Sequence, residues 1–147
     1  MRRELLAIVA ALVSALGACA SNTGYKYTFD PAANFSGGAK TYTWVTSLPK
    51  YSPSSPLEEY IQFSADKVLE AKGWKRVADG PQLVFSVNFE QERFDTYQLR
   101  LLNLRATRND TGDAIWRGTA VGSIDGNAAS SELKETVKQI LSTFPPS

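Results

Sequence analysis

Two long alternating runs meet at Asn109-Asp110-Thr111-Gly112-Asp113, and that junction restricts the chain to a fold containing a β-hairpin. Asn, Asp and Gly supply the backbone conformations that a tight reversal needs. Before the junction, Tyr97 to Thr107 places Leu99 and Leu101 in one alternation and Leu102, Leu104 and Ala106 in the other. A bulge near Leu101 and Leu102 reconciles the two phases, because one extra residue returns the later side chains to the first face. After the junction, Ala114 to Ile124 sets Trp116, Gly118, Ala120, Gly122 and Ile124 on a common face. That face is small in its middle, as suits a sheet approached closely by a helix, since glycine otherwise weakens a strand.

The remaining elements follow from the same two periodicities. Leu83, Phe85, Val87 and Phe89 alternate with Val84, Ser86, Asn88 and Glu90, the pattern of a strand with one face on a core. Tyr25, Tyr27 and Phe29 alternate with Lys26 and Thr28 until Asp30-Pro31, and Lys40 to Val45 is a second strand. Ser47 to Pro56 is rich in proline and serine and is predicted to be an exposed loop. Ser55-Pro56-Leu57-Glu58 then predicts a helix start, with Ser as cap, Pro in the first turn and Glu closing a capping box. Leu57, Ile61, Ala65, Val68 and Lys72 recur at helical spacing, widened by Tyr60 and Leu69, and Gly73 is the stop. Trp74 to Val77 is a short strand. A second helix begins at Ser130 or Ser131 and carries Leu133, Val137, Ile140, Leu141 and Phe144 up to Pro145. This order predicts an α+β domain over residues 25–147, with a single mainly antiparallel sheet and two amphipathic helices packed on one face. The link from the second strand through the first helix fits a parallel crossover.

The N-terminal residues have another character. Met1-Arg2-Arg3 is basic, and Leu5 to Leu16 is apolar or small apart from Ser14. The run is too short to cross a bilayer, which takes about 20 apolar residues. It has the build of a secretory signal, removed as residues 1–18. Leu16-Gly17-Ala18-Cys19 closes it as a lipobox, with Leu three residues before the cysteine. Ordinary cleavage nearby would leave a free thiol. The chain has one cysteine, which has no internal partner, and an unpaired thiol is unusual in an oxidising compartment. Lipidation of Cys19 is therefore expected, with residues 19–24 as the acylated N-terminus and short tether. Several acyl chains on one cysteine hold a protein to a membrane without spanning it, each buried methylene adding about 0.8 kcal/mol. Removing residues 1–18 takes away Arg2, Arg3 and Glu4, so 16 basic and 15 acidic residues become 14 of each. That balance argues against a nucleic-acid partner.

The mature chain resembles a family of bacterial lipoproteins known only as domain of unknown function 4136. The resemblance rests on Tyr27-Thr28-Phe29-Asp30, Asn34-Phe35, Lys40-Thr41-Tyr42-Thr43-Trp44, Ala71-Lys72-Gly73-Trp74 and Pro81-Gln82-Leu83. The hairpin Thr111-Gly112-Asp113-Ala114-Ile115-Trp116-Arg117-Gly118 and the ending Ile140-Leu141 with Phe144-Pro145-Pro146 complete it. Gln82 and Arg108 depart from positions where the family tends to carry an acid, which weakens any site built on those carboxylates. The resemblance implies a secreted, lipid-anchored α+β domain and brings no activity with it. By similarity to lipoproteins without Asp directly after the lipidated cysteine, Ala20-Ser21 implies the outer membrane, periplasmic side, in a Gram-negative host.

With no histidine, and its one cysteine used by the anchor, the chain has no Ser-His-Asp or Cys-His catalytic set and no His- or Cys-ligated metal site. No catalytic residue, metal ligand or cofactor is assigned. Glu90 and Glu92 at one strand end are the carboxylates a wall-glycan hydrolase would draw on. Asp110, Asp113 and Asp125 fall in loops, where acids mostly form turns. Arg100, Arg105 and Arg117 should project from the sheet face opposite the helices and form a cationic stripe, suited to carboxylate or phosphate recognition. The alternative is a solvated face with Glu90 or Glu92 pairing across strands. The leading expectation is a non-catalytic envelope lipoprotein that binds an envelope protein or anionic envelope component through that face. The competing expectations are a carboxylate glycan hydrolase and a carrier of small apolar ligands between sheet and helices.

Overall fold

The computed structural model describes residues 23–35, 37–45, 55–92, 98–127 and 130–146. The signal segment, Cys19, most of the tether, most of the Ser47–Pro56 loop and Tyr97 lie outside the described residues. Along the chain the elements are β1 (Gly24–Phe29), β2 (Thr41–Val45), α1 (Ser55–Ala71), β3 (Lys75–Arg76), β4 (Leu83–Gln91), β5 (Gln98–Arg108), β6 (Ala114–Asp125) and α2 (Ser131–Ile140). A 3-10 turn over Leu141–Thr143 follows α2. Among the described residues no helix is long and apolar enough to cross a membrane.

The strands form one six-stranded sheet in the order β1-β6-β5-β4-β2-β3. Three pairings, β1 with β6, β6 with β5 and β5 with β4, are antiparallel. β2 pairs in parallel with both β4 and β3, so the sheet is mixed, and the expectation of a mainly antiparallel one is corrected. Alternation reports which face a side chain takes and nothing about strand direction. The direction is set by the connection, and a helical crossover after β2 returns the chain to run parallel to it.

Ends and irregularities follow local chemistry. α1 closes with Trp74 N–H donating to the Leu69 carbonyl and Gly73 N–H to the Glu70 carbonyl, both 3.0 Å, around Gly73 at φ 87°. This is the double closure that only a left-handed residue permits, hence glycine. The Ser55 side chain, half of the expected capping box, lies outside what is described. At α2, Ser130 accepts from Glu132 and Leu133 N–H and is the cap. The register shift in β5 falls between Leu99 and Leu101 on the β6 side, one residue ahead of the expected bulge. Against β4, where Leu101 and Leu99 face the consecutive Glu90 and Gln91, Arg100 is the extra residue, whereas against β6 the extra residue lies on β6 between Val121 and Ile124. Leu99, Leu102, Leu104 and Ala106 are all buried.

Successive register partners build rows across the sheet. One row, Phe29, Trp116, Ala106, Phe85 and Trp44, runs across β1, β6, β5, β4 and β2 on the core face. Phe29 at the sheet edge is exposed, whereas Trp116, Ala106, Phe85 and Trp44 of this row and the buried side chains Ile61, Ala65, Leu69, Leu133, Val137 and Ile140 of the helices belong to one cluster. Phe144 is its centre, with ring centroids 5.2 Å from Phe85 and Trp116, 5.3 Å from Trp74 and 5.8 Å from Phe35. The buried cluster is thus built around aromatic rings. Gly118 is closely approached: a Cβ there would stand 2.7 Å from Ile140 Cγ2.

Candidate functional site: an arginine row on the open sheet face

One residue along from the aromatic row, side chains turn to the opposite face. The register there reads Thr28 on β1, Arg117 on β6, Arg105 on β5, Ser86 on β4 and Val45 on β2. Thr28, Arg117 and Val45 are exposed, while Arg105 and Ser86 are half-buried. The next row on this face is Lys26, Thr119, Asn103 and Asn88. Asn103 Nδ2 donates to Thr119 Oγ1 at 2.6 Å, which fixes that part of the surface. Through both rows none of the residues on this face is buried, in contrast to the core face.

The structure separates the three predicted arginines. Arg105 and Arg117 are direct cross-strand partners. Arg100 lies at the bulge five residues from Arg105, and its Nε donates to Glu90 Oε2 at 2.9 Å with both side chains more than half exposed. Such an exposed pair contributes little, roughly 0–1 kcal/mol, but it leaves Arg100 already facing an anion. Neither Arg105 nor Arg117 takes part in an ion pair among the described residues. Arg105 Nε is closed off from solvent and has no hydrogen-bond partner. Like charges directly opposite across strands oppose pairing, and a buried donor without an acceptor adds its desolvation cost.

The carboxylates considered for catalysis are placed apart from one another in role. Glu90 faces Arg100, and Glu92 stands exposed just past the end of β4. Asp110 accepts from Arg108 Nε and Nη2, and this contact holds its carboxyl below the usual range. Asp125 accepts from Asn127 N–H, as a turn-forming acid does. Among the described residues no group of three or more acidic, His or Cys side chains is placed to hold a metal.

Two features were not read from the sequence. A cavity of about 380 Å³ lies at the end of the sheet, with Phe35, Leu83 and Ile115 below and Gln82, Arg108 and Asp110 at its rim, away from the arginine row. Gln82 Nε2 donates to the Gly37 carbonyl at 2.8 Å and its Oε1 accepts from Lys40 N–H at 3.1 Å. The two positions that depart from the family pattern therefore serve to hold a loop and a hairpin tip. The second feature is Asp66 on α1, whose Oδ1 accepts from the Tyr42 hydroxyl at 2.5 Å and Trp44 Nε1 at 2.8 Å. Its Oδ2 pairs with Arg76 Nη1 at 3.0 Å. The signal for it was the placement of Tyr42 and Trp44 on a core face, because buried tyrosine and tryptophan need acceptors.

A mixed sheet with two helices and an arginine row defines an α+β domain with a candidate binding face. The chain belongs to the family described as Domain of unknown function (DUF4136), whose model matches residues 25–146. A comparison with curated proteins finds no match. Among solved structures, the chain is similar to the PelC dodecamer from Paraburkholderia phytofirmans in two crystal forms. The TM-scores are 0.56 and 0.55 at 16% identity, over 82% of this chain and 95% of that one. It is also similar to a PDZ domain protein from Parabacteroides distasonis, with a TM-score of 0.57 at 14% identity, over 84% of this chain but 35% of that one. At such identities the likeness is one of fold.

Proposed function

We propose that this chain is a non-catalytic binding module of the bacterial cell envelope. It is anchored through acylated Cys19 after removal of residues 1–18 and faces the periplasm from the outer membrane. In this proposal both helices pack on the aromatic face of the sheet, and the opposite face receives an envelope protein or other anionic envelope component. The contacts of Asp66 with Tyr42 and Trp44, and of Tyr27 with the Gln139 carbonyl, support the first part. The observation that carries the second is the charge on the open face. Lys26, Arg105 and Arg117 stand on two adjacent rows that contain no carboxylate, and Glu90, two residues beyond Asn88, already faces Arg100. A surface of one sign concentrates partners of the other.

Cross-linked capture from cells tests this. Wild type and Arg100→Ala should retain the same partners, and Arg105→Ala/Arg117→Ala should lose them. Identical capture by all three proteins would overturn the assignment of the face. Metabolic labelling with palmitate should enter the wild type and not Cys19→Ser, and absence of label in the wild type would remove the anchor.

A further inference from the structure

We infer that Arg105 and Arg117 form a receptor for a phosphomonoester; this rests on the open face being the binding face and adds the chemical group it binds. Thr28, Arg117, Arg105 and Ser86 are successive register partners on four adjacent strands. Neighbouring strands lie about 4.8 Å apart, so the backbone positions of two hydroxyl residues and the two arginines between them stand in line across roughly 14 Å.

Arg105 and Arg117 are direct cross-strand partners that take part in no ion pair among the described residues, and Arg105 Nε is shut away from water without an acceptor. What the row lacks is an acceptor of matching charge. A carboxylate has two oxygens and one charge, which one guanidinium fork satisfies in full, leaving its neighbour uncompensated. A phosphomonoester near neutral pH carries close to two charges on three oxygens, enough to engage both forks at once. Arginine suits this geometry better than lysine, because its N–H groups are fixed in a plane. Thr28 and Ser86 flank the two arginines in the register and carry hydroxyls that can add donors at either end. The face is open, so the phosphate can belong to a larger molecule lying along the sheet.

The test follows the Arg105 and Arg117 Nε–H resonances of the full-length protein during titration with inorganic phosphate, and with acetate at matched ionic strength. Saturable shifts with phosphate and none with acetate are expected. Arg105→Gln and Arg117→Gln should each weaken phosphate binding about tenfold or more, the loss of one charge-assisted contact. Arg105→Lys should also weaken it, and Arg100→Gln should not. Equal response to acetate would overturn the phosphoryl assignment. So would no saturable response to either anion, even where arginine-dependent capture from cells still upholds the binding face. Vesicles of phosphatidylcholine with and without phosphatidic acid distinguish the source. Arginine-dependent binding to phosphatidic acid assigns a lipid headgroup, whereas phosphate binding without it assigns a phosphate on a soluble molecule or glycan.

Discussion

The Tyr42 hydroxyl donates to Asp66 Oδ1 across 2.5 Å, joining the wholly buried ring of a β2 residue to a carboxylate on α1. The same oxygen accepts from Trp44, also on β2, so one carboxylate satisfies the two polar atoms that this strand carries into the core. Asp66→Ala should destabilise the domain by about 2–4 kcal/mol, because it leaves two buried donors without acceptors. Arg76→Ala removes only the ion pair, whose arginine is half exposed, and should cost less than about 1 kcal/mol. Urea unfolding of the two variants measures the difference, and equal costs would mean that Arg76, not the aromatic pair, is the important partner.

Burial raises the pKa of Tyr42 far above its ordinary 10.0, and the hydrogen bond to Asp66 adds to it, since both favour the neutral phenol. The linkage has a definite sign. A folded-state pKa above the unfolded one contributes stability that is complete below the unfolded value and is lost as pH rises towards the folded value. The stability difference between wild type and Tyr42→Phe should therefore be constant at neutral pH and shrink above about pH 10, where the unfolded chain begins to ionise Tyr42. Denaturant midpoints for both proteins from pH 7 to the alkaline limit of folding check this; parallel curves throughout would be inconsistent with a hydrogen-bonded buried phenol.

Gly118 is constrained by packing rather than by backbone conformation. A Cβ there would meet Ile140 Cγ2 at 2.7 Å and the Trp116 ring at 2.8 Å. Both are core atoms, so Gly118→Ala must displace α2 or the indole, at about 1–3 kcal/mol. Ile140→Ala in the same chain should recover part of that loss, because it removes Cγ2, the atom the new Cβ would meet. A thermal-melt double-mutant cycle reads the coupling, and strict additivity would show that the helix does not press on this strand.

These residues also show what the sequence made legible. The small face at Gly118 and Ala120 announced a close helix because glycine in a strand needs such a reason, and alternation assigned the faces of β4 and β6. Strand direction was legible only at the crossover, where the link through the first helix fitted the parallel pairing of β2 with β4; alternation alone reads the same beside a parallel or an antiparallel neighbour, so the mixed character of the whole sheet was missed. The last helical stripe was read through Phe144, yet α2 ends at Ile140 and a 3-10 turn carries Phe144 into the core in an extended conformation. The register of the three arginines was not legible. Only the pairing shows that Arg105 meets Arg117 while Arg100, displaced by the bulge, meets Glu90. A one-residue slip at Arg100 decides which cations are neighbours, and no periodicity encodes it.

The facing arginines should limit stability in a way that salt can relieve. Arg105 and Arg117 are paired across β5 and β6 without an intervening acid, and directly opposed like charges disfavour strand pairing by a few tenths to about 1 kcal/mol. Arg117 is exposed, so Arg117→Gln keeps a long polar side chain while removing the repulsion. The variant should be as stable as the wild type or more stable by up to about 1 kcal/mol. Raising sodium chloride should bring the two proteins together, because screening acts on the wild type alone. Chloride is the ion of choice here, since phosphate would add its own binding to the measurement. Guanidinium is unsuitable as denaturant because it is itself a salt, so urea midpoints at low and high sodium chloride provide the comparison. A variant clearly less stable at both salt concentrations would show that Arg117 contributes packing rather than uncompensated charge.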